Sequence, residues 1–243
     1  MNRKSYVWTY MLLLLMAISI VGFIFTPMAA DAKVFMASAR QADYISDNLL
    51  VGSYKAWELK GVFSRLLIYG IYKLAICFVP FSTYSFEVVC NLIYVIIIFL
   101  CIAVSIQCIF YSMPGDRKAL VLATVMISVM ATHASCHMQV EMTVTVVIIM
   151  AFALYINAVE SKQKAFFKLF AAGVLIGSAF FYKSVLILLS VSVIAAVCIW
   201  NIQAGYKLSV KRMMAVVLGS ITVILANLCV ILIINPGEIQ DMV

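Results

Sequence analysis

An all-α, polytopic membrane bundle is the fold class the sequence predicts, and three observations predict it. Hydrophobic residues make up 66% of the 243 positions and charged ones only 11%, where a soluble domain carries about 25% charge to wet its surface. The apolar residues are gathered in blocks of roughly 17–25, enough for a helix to cross about 30 Å of hydrocarbon. Between the blocks lie short basic turns, the pattern that fixes orientation in a membrane. The chain reads as a single transmembrane domain, residues 1–243, with about seven spans and one interfacial helix.

The first block, Tyr6 to Met28, follows Met-Asn-Arg-Lys. It is longer than the apolar core of a usual signal peptide, although "FTPMAADA" offers small residues at a would-be cleavage point. Membrane anchor and signal peptide both stay open here. A long outer loop is expected from 29 to 87, holding Asp31, Asp43, Asp47, Lys55, Trp57, Glu58 and Lys60.

Within that loop, 61–81 reads "GVFSRLLIYGIYKLAICFVPF". Arg65 and Lys73 would each cost about 2.5–3.5 kcal/mol near a bilayer centre. Arg65, Tyr69, Tyr72 and Lys73 recur at helical spacing and leave Leu66, Leu67, Ile71, Leu74 and Phe78 elsewhere. An amphipathic helix lying in the interface fits better than a span.

Further spans are expected at 88–112, 118–136, 139–158, 166–182, 184–202 and 213–235. Parity supports the count. With the N-terminus cytoplasmic and 61–81 not crossing, "PGDRK", "SKQKAFFK" and "YKLSVKR" all fall on the cytoplasmic side. A crossing at 61–81 would turn all three outward. The stretch 169–200 is long for one span and short for two. A hairpin with Lys183 at its outer tip keeps 206–212 inside, whereas a single tilted span would not.

The net charge of +7 is explained by these turns and needs no nucleic acid. Seven cysteines are scattered without a C-x-x-C pair, and most lie in apolar runs, where they act as small hydrophobes. No zinc site or disulfide framework follows.

Both histidines fall in "THASCHMQVEMTV". His133, His137 and Glu141 stand at i, i+4 and i+8, one face of a continuous helix. Nitrogen and oxygen ligands of this kind suit zinc or manganese, but the expected bend between two spans would break the shared face. Metal ligation, the lining of a polar pocket by His137 and Glu141, and a merely wetted bend remain three readings of one stretch. No metal is assigned, although a divalent cation would be admissible.

The order of these features resembles the GT-C class of membrane glycosyltransferases, such as the protein O-mannosyltransferases and bacterial aminoarabinose transferases. The likeness runs from about residue 8 to 200, at low identity. "MAADAKVFMASARQADY" places Asp31 just after the first span, where that family carries an acidic catalytic residue. "WELKGVFSRLLIYGIYKL" looks like the family's aromatic–acidic–lysine motif, with Trp57, Glu58 and Lys60. "CHMQVEMTVTVVIIMAFALYI" supplies Glu141 at the start of a span. "GVLIGSAFFYKSVLILL" is similar to a glycine-containing span ending in an apical lysine, here Gly173, Gly177 and Lys183. The acidic pair is reduced to Asp31-Ala32, and Ser184-Val185 stands in place of Gly-Pro. The chain ends after the seventh expected span, as a short or truncated relative would.

The resemblance implies transfer of a sugar from a polyprenyl-phosphate donor to an acceptor on the extracytoplasmic side of a bacterial plasma membrane. Asp31 would be the general base. Lys183 would contact the phosphate, with Glu141, Glu58, Lys60 and His137 binding substrate. Two other classes compete. A lipid or solute transporter would want charged groups within the membrane and broken helices, whereas the expected spans offer mainly Ser, Thr, Asn91, Gln107 and Asn227. A non-catalytic subunit would act only beside a membrane-protein partner.

Overall fold

The computed structural model describes residues 14, 18, 24–25, 28, 30–56, 62–81, 83–112, 140–161, 165–180, 210–234 and 236. Among them every regular element is an α-helix. In chain order these are α1 (Ala30–Ile45), α2 (Leu49–Ala56), α3 (Val62–Ile76), α4 (Tyr84–Ser112), α5 (Val140–Ser161), α6 (Ala165–Phe180) and α7 (Val210–Ile234). Among the described residues, three segments are long and apolar enough to cross a membrane: Tyr84–Ile109, Met142–Val159 and Arg212–Ile234. They coincide with the spans expected at 88–112, 139–158 and 213–235. The span expected at 166–182 is represented by α6, which is apolar but only 16 residues long. The spans at 118–136 and 184–202, and most of 6–28, lie outside the described residues.

The stretch 29–60, expected as loop, is largely helical. In α1, Ala32, Met36, Ala39 and Ala42 are buried. Their spacing of three and four residues makes one narrow stripe, and its small side chains let α2 and α3 come close. Asn48 starts α2 by accepting the Leu50 and Val51 amides on its side-chain oxygen, at 3.0 and 3.2 Å, the usual work of an N-cap. Gly52 is needed for closeness. A Cβ there would stand 2.8 Å from the Ala42 carbonyl and 3.1 Å from the Tyr69 ring.

Of the helix expected at 61–81, Val62–Ile76 forms, but its orientation differs from the expected one. Tyr69 and Tyr72 are buried together with Ile68, Ile71 and Ala75, while Leu74 and Phe78 are exposed. Phenols tolerate burial when the hydroxyl finds a partner, and both Asp43 and the Ser46 carbonyl lie within hydrogen-bond reach of Tyr69. The amides of Phe78 and Val79 both return to the Ala75 carbonyl and close the helix. Thr83 then opens α4 by accepting the Phe86 amide at 3.1 Å.

In α4, Phe86, Cys90, Tyr94, Ile98, Ile102 and Ile106 are buried. Each four-residue step turns the helix face by about 40°, so this stripe winds round α4. It packs with α3 near its start and with α5 further along. The chain before α1 is fastened to the same start. Asn91 donates to the Ile24 carbonyl at 3.3 Å, and Tyr84 to that of Phe25 at 2.8 Å. The Met28 amide donates to Glu87 at 3.0 Å.

Helix α5 is buried on most of its circumference, as a central helix must be, with α4 on one side and α6 on the other. Tyr94 meets Thr143 at 3.2 Å near the starts of α4 and α5, and Ile109 packs on Ala153 and Ile156 further along. The two helices are therefore parallel. Helix α6 returns antiparallel after a three-residue connection (162–164), with Lys168 donating to Asn157 at 2.6 Å. Helices α6 and α7 are parallel again: Gly173 faces Val216, and Gly177 faces Ser220 and Val223. The last turns of α7 pack Ile231 against Phe63 and Leu66 of α3. Two ends follow. One holds α1, α2, α3, the starts of α4 and α5, and the finish of α7. The other holds the finish of α4, the α5–α6 turn and the start of α7.

Candidate functional site

Charge collects at the first of these ends. Asp43, in the last turn of α1, pairs with Lys73 of α3. The Tyr69 hydroxyl lies 3.2 Å from the same carboxylate and 3.0 Å from the Ser46 carbonyl. Asp47 stands 4.0 Å from Lys73 and is fully exposed, so it adds little. Asp47 is thus a solvated side chain, whereas Asp43 is built into the α1–α3 contact. Beside this pair Arg40 lies over Phe81, 4.8 Å from the ring centre, and Tyr72, Phe81 and Phe86 pack edge to face.

A second cluster surrounds Glu87 in the first turn of α4, where the helix dipole favours a negative charge. It accepts the Met28 amide and pairs with Lys33 at 3.3 Å. Asp31 lies in sequence between Met28 and Lys33, in the first turn of α1. Its backbone is thereby held beside the start of α4. Glu141 is the second residue of α5, at the same end, next to the Thr143–Tyr94 contact. Glu58, Lys60, His133, His137 and Lys183 lie outside the described residues. Among the described residues no three His, Cys, Asp or Glu side chains come together as metal ligands.

Two participants escape a reading of the sequence. Glu87 could have been found from "STYSFE", where Thr83 caps a helix and an acid follows in its first turn. Tyr69 could not, because its partner Asp43 is 26 residues away.

The electrostatics of the α1–α3 contact predict an alkaline limit. Burial pushes the phenols of Tyr69 and Tyr72 above the ordinary 10.0, with Lys73 opposing and Asp43 adding to the shift in Tyr69. The hydrogen bond to Asp43 raises the Lys73 ammonium above 10.5. All three groups bind their protons more tightly in the folded chain. Their contribution is whole below these ordinary values and is lost as pH rises through the raised ones. The α1–α3 contact is expected to stay closed to pH 10 and to open above it, seen as loss of the near-ultraviolet tyrosine dichroism. Opening between pH 7 and 9 would contradict this. Tyr69→Phe should remove one tyrosinate step from the absorbance titration.

Compared with known family models, curated proteins and solved structures, the chain matches none.

Proposed function

We propose that the chain is a seven-span membrane protein of the GT-C glycosyltransferase kind, taking a sugar from a polyprenyl phosphate on the extracytoplasmic side. One observation carries the reading: helix direction gathers an excess of positive charge at one end. The end that holds the α5–α6 turn and the start of α7 has Lys168 and Arg212, with the basic turns 114–118, 161–168 and 206–212 joined to it in sequence. The opposite end carries both signs, with Asp43 paired to Lys73, Glu87 to Lys33 and Arg40 nearby, and it holds the helix starts that carry Asp31 and Glu141. Basic turns mark the cytoplasmic side, so this end of mixed charge faces outward. The parallel runs of α4 with α5 and of α6 with α7 fit the proposed seven-span parity, which asks for one return between the members of each pair.

In the proposed reaction Asp31 takes the proton of an acceptor hydroxyl as its oxygen bonds to the sugar's anomeric carbon. The bond from that carbon to the phosphate oxygen breaks, and polyprenyl phosphate leaves against Lys183. Glu141, Glu58, Lys60 and His137 would orient the sugar, with or without a divalent cation. The ion-paired states of Asp43 and Glu87 suit scaffolding of the outer end. They also favour a second reading, a non-catalytic subunit in which the same end docks a partner.

The test uses the full chain in liposomes with a photoreactive polyprenyl phosphate. The proposal expects a cross-link that unlabelled polyprenyl phosphate competes and phosphatidylglycerol does not. Absence of that cross-link, or equal competition by both, overturns it. Lys118→Cys and Lys207→Cys should resist an impermeant maleimide applied to intact cells, and labelling of either overturns the orientation.

A further inference from the structure

The corner between α3 and α4 exposes apolar side chains where a water-soluble surface would carry charge. Leu74 is 53% exposed, Phe78 74% and Tyr84 58%, and Cys77 is exposed between them. Leu74 lies in the last turn of α3, and Phe78 in the turn that follows its end. From 74 to 86 the sequence, "LAICFVPFSTYSF", has no Asp, Glu, Lys, Arg or His. Of the cations beside it, Lys73 is held in its pair with Asp43 and lies 5.6 Å from the Tyr69 ring centre, and Arg40 lies over Phe81, 4.8 Å from the ring centre.

What covers this corner is indicated by what it adjoins. Helix α4 carries an exposed apolar row, Leu92, Ile96, Leu100 and Val104, within a segment long enough to span hydrocarbon. Tyr84 stands two turns before Leu92, with its hydroxyl bonded to the Phe25 carbonyl. A tyrosine with an apolar body and a satisfied polar tip suits the membrane–water boundary. Leu74 and Phe78 therefore extend the apolar surface of α4 back beyond its first residue, at the finish of a helix too short and too charged to cross.

We propose that the α3–α4 corner, through Leu74, Cys77 and Phe78, inserts into the headgroup–acyl boundary of the leaflet that Tyr84 touches. This holds the α1–α3 cap down on the bilayer. The occupant of the corner is lipid, and the inserting face is opposite to the tyrosine face that α3's sequence pattern presents. The inference rests on the reading of α4 as a span.

Cys77 supplies the probe. The full chain, with its other cysteines changed to alanine, is labelled with a polarity-sensitive dye and placed in phosphatidylcholine–phosphatidylglycerol vesicles. Nitroxide lipids then quench from either of two depths. The expected result is quenching by a nitroxide near the headgroup about twofold stronger than by one near the chain end, with little effect of aqueous iodide. Iodide quenching with no nitroxide effect overturns the proposal, and so does stronger quenching from the chain end. A parallel sample labelled at Leu100→Cys should respond most to the chain-end nitroxide. If Leu100→Cys does so while Cys77 meets iodide, the corner proposal alone fails. If both meet iodide, α4 is not a span. Should the cysteine-reduced chain not fold, Phe78→Trp in the native background, read as the gain in quenching by brominated lipids over the parent, decides the same question.

Discussion

Leucine at Gly173 is expected to force α6 and α7 apart. Even a methyl group at this position would fall within the van der Waals radius of the Val216 carbonyl, and a Cβ at Gly219 would do the same against Phe170. These are backbone atoms, so no rotamer change relieves the clash. At Gly177 the obstruction is the Val223 side chain at 2.7 Å and the Ser220 backbone at 2.8 Å. Gly173 and Gly177 form a G-x-x-x-G pair on α6, and Ala215 and Gly219 answer with small residues four apart on α7. In lipid there is little hydrophobic force between helices, and association depends on such close backbone approach. Ser220 uses it to donate to the Gly173 carbonyl at 2.8 Å. Gly173→Leu should therefore cost about 3 kcal/mol or more, the upper range for overpacking, with the loss of that hydrogen bond included. The measurement is the thermal midpoint and folded fraction of the full chain in mild detergent. Gly70→Ala is the control: a Cβ there meets nothing within 4 Å, so stability should hold or rise by about 0.5–1 kcal/mol from reduced chain entropy. Equal behaviour of the two variants would show that the α6–α7 contact does not carry the bundle.

The same contrast explains what the amino-acid order reveals and what it hides. Helices α4, α5 and α7 are legible because hydrocarbon demands long uninterrupted apolar runs, and the alternation of basic turns agrees with their observed directions. Helices α1 and α2 are hidden because their buried residues are mostly Ala and Gly. Next to Asp43, Asp47, Arg40 and several serines and alanines, that composition reads as a wetted loop. In α3 the spacing is legible and the orientation is not. Tyr69, Tyr72 and Lys73 look like a solvent face until Asp43 and the Ser46 carbonyl are brought to them, and those partners lie in the last turn of α1 and just beyond it. Gly173 and Gly177 stand out in the sequence, but their meaning as a packing surface depends on Gly219, some forty residues later. Of the candidate site, Glu141 is read at the start of a span and lies at the start of α5, whereas Asp31, read in a loop after the first span, lies in the first turn of α1, and the pairs Lys33–Glu87 and Lys73–Asp43 are products of tertiary packing.

Conversion of Asp31 to Asn is the change expected to act on function most strongly. Asparagine matches aspartate in size and is equally at home near a helix N-terminus, so the first turn of α1 should persist. Fastening of that turn does not depend on residue 31, because the Met28 amide and Lys33 both engage Glu87. What the substitution removes is the proton acceptor of the proposed reaction. General-base catalysis supplies about 10²–10⁴-fold, and glycosyl transfer by the full chain should fall by that factor, in kcat rather than in KM. Cross-linking to polyprenyl phosphate should be retained, since Asp31 is not assigned to the phosphate. Glu87→Gln separates placement from chemistry. It keeps an acceptor for Met28 but loses the charge that holds Lys33, so it should lower thermal stability and reduce transfer far less than Asp31→Asn. Removing Lys73 tests the cap in turn: it leaves the half-buried Asp43 without its cation, which is destabilising, and should loosen α1 from α3 before any effect on donor binding. If Asp31→Asn transfers sugar at the parent rate, the proton leaves by another route and Asp31 serves only as a helix start. If Glu87→Gln is instead the more damaging for kcat at unchanged stability, the reactive carboxylate of this end is the one in α4.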